Sequence, residues 1–553
     1  MRTLLTLSLL LTSLASADSG SGKLAKDFDN LPAFQLVEVI LQYDSSRFKD
    51  LDKALKNTGV NLKGKFKNFD FVTLTVPKSL LAAISKMPGV KYASPSGRSL
   101  RGSLEHARPS IFADIAQNNN WTGTGVGIAV IDSGVTAHGD LAGRVVYSQS
   151  FVPGDTSTTD GYGHGTHVAG VVAGNGAASA VAGSTRLFRG VATGAQIINL
   201  KVLDSTGAGT DLSVISAIDR AVELKSTYNI RVINLSLGRR VTESYTLDPL
   251  CQAVERAWKA GIVVVVAAGN NGRDNSMGTR GYATIGSPAN SPYVITVGAM
   301  RDMASNSRAD DRLASYSSKG PTMLDHVVKP DLVAPGNRII AAMSSATSTL
   351  PGGGPNRIIG KNYFLPGQSG NSTYLRLSGT SMAAPLVAGT AALMIQKEPG
   401  LSPDTVKARL MKTATKGATT PAFSYSDGTN VLPMQHDVFA VGAGYLDVWA
   451  ALNSTEIVPS TRRALSPKAV RDAAGSTRLL SNNVIWGENV IWGENVIWGE
   501  AVLLTGSNVI WGESMPWGQA SNTGFNVIWG TNVTWGTNIF PLGMSTEGDS
   551  DLN

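Results

Sequence analysis

Val126-Gly127-Ile128-Ala129-Val130-Ile131-Asp132-Ser133-Gly134-Val135 is an apolar run that stops abruptly at a carboxylate and a glycine. A strand apolar at both alternating sets of positions has both faces covered, which points to a parallel sheet rather than to a half-wetted antiparallel one. In open parallel sheets functional groups gather at the carboxyl ends of the strands, and Asp132 stands there. A second run of the same kind, Gly261-Ile262-Val263-Val264-Val265-Val266-Ala267-Ala268-Gly269-Asn270, ends in a carboxamide. Between and around these runs the pattern alternates, with strands over 197–203, 231–235 and 293–297 and helices over 211–225 and 249–260. Short buried strands alternating with amphipathic helices predict an α/β fold, a mostly parallel sheet with helices on both faces. Ser402-Pro403-Asp404 adds a cap and a first-turn proline ahead of a helix over 405–413.

Two further segments carry chemistry. Gly379-Thr380-Ser381-Met382-Ala383-Ala384-Pro385 places a serine at the mouth of an Ala-, Leu- and Val-rich helix over 382–397. A hydroxyl there lies beside unpaired backbone N–H groups, which either cap the helix or stabilise an oxyanion. Gly163-His164-Gly165-Thr166-His167 opens another small-residue helix with a histidine between glycines. Each feature has a plain structural reading: a helix cap for Ser381, a turn former for Asp132, a packing or metal-binding histidine for His164, a turn residue for Asn270. Together they supply a nucleophile, a base and an orienting carboxylate in the order Asp, His, Ser.

With these residues the chain resembles the subtilisin-like serine peptidases, whose catalytic residues run in that order. An α/β-hydrolase would show Gly-x-Ser-x-Gly and the order Ser, Asp, His. The resemblance implies that Asp132, His164 and Ser381 are catalytic and that Asn270 donates to the oxyanion. It also implies that Ser236, Leu237, Gly238, Ala268, Gly269 and Gly286 bind substrate, with Gly286 as a pocket floor that admits a large P1 side chain. Asp140, in His138-Gly139-Asp140, and Asp331, in Lys329-Pro330-Asp331, match aspartates that hold structural calcium or a weaker cation in relatives. The chemistry itself needs no cofactor. Two rivals stand beside this reading: a catalytically silent protein of the same fold acting through its tail, and an acid peptidase of the sedolisin type, which uses a glutamate where this chain has His164.

The 553 residues divide further. Residues 1–17 carry one arginine, an apolar stretch and Ala15-Ser16-Ala17, the pattern of a secretory signal peptide, so the protein is expected outside the cell. The stretch is too short to span a membrane, and no other segment reaches that length. Over 34–93 the order β-α-β-β-α-β predicts a ferredoxin-like α+β unit. Ahead of a subtilisin-like body, such a unit resembles the inhibitory propeptide, cut between Ser94 and His106. The expected domains are therefore a propeptide at 18–105, a peptidase domain at 106–453, a linker at 454–480 and a repeat tail at 481–553. In that tail Asn-Val-Ile-Trp-Gly-Glu recurs complete at Asn483, Asn489, Asn495 and Asn508, and seven of the chain's ten tryptophans lie there. An even repeat puts Val484, Trp486 and Glu488 on one side of an extended chain, suited to a small β structure or to docking on a glycan, a cell surface or the catalytic body, while its glycines and low complexity also fit a segment without a fixed fold.

The net charge is +7, yet the tail holds seven acidic residues and no Lys or Arg, so the body is the basic part. No nucleic-acid motif or basic cluster accompanies that charge, so nucleic acid is not expected as a partner; the expected partners are polypeptide substrates and the chain's own propeptide. The single cysteine, Cys251, excludes an intrachain disulfide and reads as packing. His106, His138, His167, His326 and His436 are not spaced as a zinc motif.

Overall fold

The computed structural model of the chain describes residues 32–44, 60–65, 71–95, 103–276, 278–352, 373–416, 436–471, 477–480 and 501–503, with short pieces between them. It divides into two compact units, Met1–Leu100 and Arg101–Asn553.

In the first unit β1 (Leu36–Tyr43), β2 (Asn61–Lys65), β3 (Phe71–Pro77) and β4 (Val90–Pro95) form one antiparallel sheet in the order β2-β3-β1-β4. Alternate residues Val39, Leu41, Val72, Leu74 and Val76 are buried on one face. The short helix α1 (Leu81–Ser85) adds Leu81 and Ile84 to the same core. This strand order is that of the expected ferredoxin-like motif. The first helix of the motif, expected over 47–57, lies outside the described residues except for the buried Leu55.

The second unit is built on β5 (Gly127–Asp132), β6 (Val145–Ser150), β7 (Gln196–Lys201), β8 (Ile230–Leu235), β9 (Val263–Ala267), β10 (Ile295–Arg301), β11 (Arg312–Leu313) and β12 (Leu332–Pro335). Their order is β11-β10-β9-β8-β5-β7-β6, with β12 also beside β10. All pairings are parallel except that of β10 with β11. Every residue of β5 and of β9 is buried, as two-sided apolar runs require. The winding reverses at β5, and ligand sites in open α/β sheets form at such a switch point.

Five helices matter to the site: α2 (Gly165–Ala173), α3 (Asp211–Glu223), α4 (Pro249–Lys259), α5 (Thr380–Lys397) and α6 (Pro403–Thr413). α5 packs on β8, β9, β10 and β12 with α2 beside it, and it is buried from Thr380 through Ile395. A helix apolar on every side belongs inside a core. α3 and α4 pack on each other and on β8 and β9 respectively. Asp248, Ser402 and Thr210 cap α4, α6 and α3 through side-chain oxygens, each satisfying one orphan N–H.

Two boundaries differ from expectation. The strand expected over 293–297 runs Ile295–Arg301, because the carbonyls of Pro292, Tyr293 and Val294 turn to the Lys407 ammonium instead of to a sheet partner. Residues 454–480 do not behave as a linker: Val458, Ala464, Ala469 and Leu479 belong to the main core, and Lys468–Arg471 pairs with Thr477–Leu480. Four apolar side chains scattered among polar neighbours give no periodicity to read. Ala501–Leu503 adds a third antiparallel strand there. Residues 1–17, expected to be a signal peptide, and the remainder of the tail lie outside the described residues.

Candidate active site

Three element ends lie at the carboxyl edge of the sheet: the last residue of β5, the start of α2 bonded to it, and the start of α5 bonded to Ser236 after β8. Asp132 closes β5, and its Oδ1 accepts from Ser133 N at 2.7 Å and from His164 Nδ1 at 2.7 Å. Because Nδ1 is committed to donate, Nε2 is the unprotonated, basic nitrogen of the neutral ring. His164 Nε2 and Asp132 Oδ2 are buried and have no hydrogen-bond partner. Such groups are rare in folded proteins and mark sites held ready for a task. His164 is the N-cap residue of α2, and Gly165 after it explains the glycines: a Cβ at 165 would lie 2.2 Å from Gly134 O and 3.2 Å from Asp132 Cβ. Only a residue without a side chain lets the helix start press against the strand end.

Ser381 is the second residue of α5, where backbone N–H groups lack intrahelical acceptors. Its hydroxyl donates to Ser236 O at 3.1 Å rather than to the imidazole, and Ser236 Oγ donates in return to Ser381 O at 2.9 Å. Asn270 follows β9, and its Oδ1 accepts from Thr380 N (2.9 Å) and Thr380 Oγ1 (3.0 Å). These two bonds fix the carboxamide and turn its Nδ2 toward the Gly379 side, 3.0 Å from where a Cβ on Gly379 would stand.

The remaining predicted residues surround this edge. Ser236, Leu237 and Gly238 follow β8 and are buried. Arg239 pairs with Ser287 as an antiparallel bridge, and Gly286 N donates to Ala268 O at 3.1 Å, so the segments 236–239, 268–269 and 286–287 are joined backbone to backbone. Asp248 sits beneath them, accepting from Arg239 Nη2 (2.9 Å), Ser287 Oγ (2.6 Å) and Leu250 N (2.9 Å). Cys251 is buried beside this group, its Sγ 3.2 Å from Asn290 Oδ1, and burial pushes the thiol well up.

Neither predicted cation ligand suits a metal here. Asp140 accepts from Ala178 N (2.7 Å) through one oxygen and from Tyr374 OH (2.8 Å) through the other. Asp331 is held by Lys329 Nζ at 2.7 Å and Lys407 Nζ at 3.3 Å. Two lysine amines already occupy that carboxylate's oxygens, so a metal would have to displace them. Among the described residues no cluster of three or more His, Cys, Asp or Glu is arranged to hold an ion.

The profile of the subtilase family matches residues 123–455, which contain every one of these groups. The chain belongs to the subtilase family. The serine protease AprX of Bacillus subtilis (strain 168) is 37% identical over 362 residues, covering 64% of this chain and 76% of that protein. Subtilisin DY of Bacillus licheniformis is 38% identical over 314 residues, covering 57% of this chain and 92% of that protein. A crystal structure of a cold adapted subtilisin-like serine proteinase superposes with a TM-score of 0.40 at 29% identity, over 60% of this chain and 90% of that one. This subtilase is a serine-type endopeptidase, and among its described residues no helix is long and apolar enough to cross a membrane.

One residue of the subtilase site escaped the sequence reading. Asp160, fully buried, accepts from Ser133 Oγ (2.8 Å), Gly163 N (2.6 Å) and Thr166 N (2.8 Å), while Ser133 Oγ accepts from Gly165 N (2.9 Å). It thus ties the residue after Asp132 to the residues on both sides of His164. Burial raises its carboxyl above the usual range, against the pull of those hydrogen bonds. In the sequence it sits in Asp160-Gly161-Tyr162-Gly163, where an aspartate among glycines reads as a turn.

Proposed function

We propose that Ser381 attacks the peptide carbonyl, that His164 serves as general base and then general acid, and that Asp132 holds the imidazole in one tautomer. The observation that carries this reading is the 2.7 Å bond from His164 Nδ1 to Asp132 Oδ1, with Nε2 left free on the same sheet edge as Ser381. On substrate binding the Ser381 hydroxyl leaves Ser236 O and turns to Nε2; hydrogen bonds of this kind tighten only in the bound complex. The Oγ–C bond forms as the proton passes to Nε2, and that proton then goes to the departing amine nitrogen as the C–N bond breaks. Water repeats the sequence on the acyl-enzyme. Asn270 Nδ2 and the Ser381 N–H receive the negative oxygen, each a dipole fixed before the charge appears.

Substrate lies extended along 236–238, with its P1 side chain over Gly286, whose missing side chain suits broad specificity with room for large residues. The protein is exported and made as a zymogen: the leader-like residues 1–17 support the first, the ferredoxin-like first unit the second. A fluorophosphonate probe tests the mechanism. Labelling of the wild type, none of Ser381→Ala and little of His164→Ala is expected; equal labelling of all three overturns it. Intact mass of wild type beside Ser381→Ala tests self-processing, since an uncut variant and a shortened wild type are required. Activity lost toward acid separates the imidazole mechanism from a carboxyl one, which gains it.

A further inference from the structure

A fully buried charged cluster outside the catalytic edge surrounds Asp331. Lys407, in the middle of α6, is fully buried. Its Nζ lies 2.7 Å from Pro292 O, 2.9 Å from Ser466 Oγ, 3.0 Å from Val294 O and 3.2 Å from Tyr293 O. Asp331 Oδ1 is a fifth oxygen at 3.3 Å. All five neighbours can accept, and an ammonium has three N–H to give, so the charged form fits where a neutral amine would aim its lone pair at oxygen. Lys329 Nζ takes the other carboxylate oxygen at 2.7 Å and also Val294 O at 3.0 Å. Ser466 Oγ donates to Asp331 Oδ1, and Thr296 N donates to Oδ2 at 2.7 Å.

Carbonyl, hydroxyl and carboxylate oxygens converging on a desolvated positive centre are the donor set of a hard cation, here filled by a side chain. Two facts fix the class of ion it imitates. The separations exceed the roughly 2.3–2.6 Å of calcium–oxygen bonds. The cage holds a single carboxylate, and Lys329 already bonds its other oxygen although burial lowers that amine to about 7, so a divalent ion in place of Lys407 would leave uncompensated positive charge.

We propose that Lys407 is a tethered cation: its ammonium fills a five-oxygen cage, this chain takes no metal there, and removing the side chain opens a site for a free monovalent cation of ammonium size. Ser466, one of the five ligands, comes from the segment past residue 454. The proposal is independent of the catalytic reading, because its readout is unfolding, not peptide hydrolysis.

The test uses the full-length Ser381→Ala chain, which cannot digest itself, with and without Lys407→Ala. Melting temperatures are compared in choline, sodium, potassium, methylammonium and calcium chlorides at equal ionic strength. With Lys407 present, Tm is expected to be the same in choline and potassium. Lys407→Ala is expected to lower Tm in choline by about 5–10 °C, and potassium or methylammonium to restore a third or more of the loss, calcium less. Equal Tm of the Lys407→Ala chain in choline, sodium, potassium and methylammonium overturns the proposal, as does a larger recovery in calcium. Should Lys407→Ala fail to accumulate, Lys407→Gln keeps most of the stem and is read against the same salts, with absence of any cation effect again overturning it.

Discussion

Asp132 and Asp331 are both buried aspartates beside parallel strands, and they are finished in opposite ways. Asp331 has both oxygens occupied, by Ser466 and Lys407 on one side and Thr296 N and Lys329 on the other. Asp132 spends one oxygen on Ser133 N and His164 and leaves the other, like His164 Nε2, without a partner in a dry setting. Desolvated groups without partners cost stability, so a fold keeps them only where something is to be done. Saturation fits an aspartate that holds the body together, and incompleteness fits the catalytic role proposed for Asp132.

The same substitution at both places puts that contrast at most risk. Asp132→Asn is expected to lower kcat/KM on a peptide substrate by about 10⁴-fold, the size known for the equivalent change in another serine protease, with Tm nearly unchanged. Asp331→Asn is expected to do the reverse, lowering Tm by about 5–10 °C while the folded fraction keeps its kcat/KM. Both losses appearing at one aspartate would erase the distinction. On the proposed role of Asn270 as a donor used only in the transition state, Asn270→Ala should lower kcat by about 10²–10³-fold with little change in KM, a range inherited from subtilisin. A rise in KM alone would place Asn270 in ground-state binding.

Asp160 sharpens the comparison, being saturated like Asp331 yet attached to the catalytic loop. Asp160→Asn should lower kcat by about 10- to 100-fold through misplacement of His164, with KM nearly constant, and Ser133→Ala should lower it less. If the two variants change only Tm, Asp160 is as structural as Asp331.

The smallest effect belongs to His167, three residues past His164. Its Nε2 donates to Ile339 O and Leu375 O, both at 3.1 Å, and Nδ1 is buried without a partner. Burial above all, with the neighbouring His164, depresses it to about 3 from 6.5. The unfolded chain therefore binds a proton that the folded one refuses, so stability is complete above the unfolded value and falls as pH drops from there toward the folded one. For one group the slope is about 1.4 kcal/mol per pH unit. Urea unfolding of Ser381→Ala at pH 7.5 and 5.5 should show it, and His167→Gln should flatten it; an unchanged slope in that variant would acquit His167.

Much of this was legible in the chain. Two-sided apolar runs announced β5 and β9, and their polar terminal residues announced Asp132 and Asn270, because burial on both faces leaves a strand end as the first place for a polar group. Gly165 and Gly379 were legible as glycines but not as spaces, since the Gly134 carbonyl and the Asn270 carboxamide that fill them come from far along the chain. The Lys407 cage was illegible for the same reason. A lysine on an amphipathic helix reads as a solvated face, and only folding brings the carbonyls of Pro292, Tyr293 and Val294 around it. Asp331 was noticed through resemblance, which pointed to a bound ion; the ammonium groups that answer it leave no pattern in local sequence. Asp160 fell between, its glycine-rich turn disguising a carboxylate bound to three donors.

Ser466, Ala469 and Leu479 complete the cage and the core, although they lie beyond residue 455, where the family match ends. Synthesis runs from the amino end at roughly 5–20 residues per second. The cage and this part of the core therefore cannot be completed until the segment around residue 480 has been made, well after Ser381. The last pieces of the interior are thus supplied by residues synthesised some hundred positions after the serine at the mouth of α5.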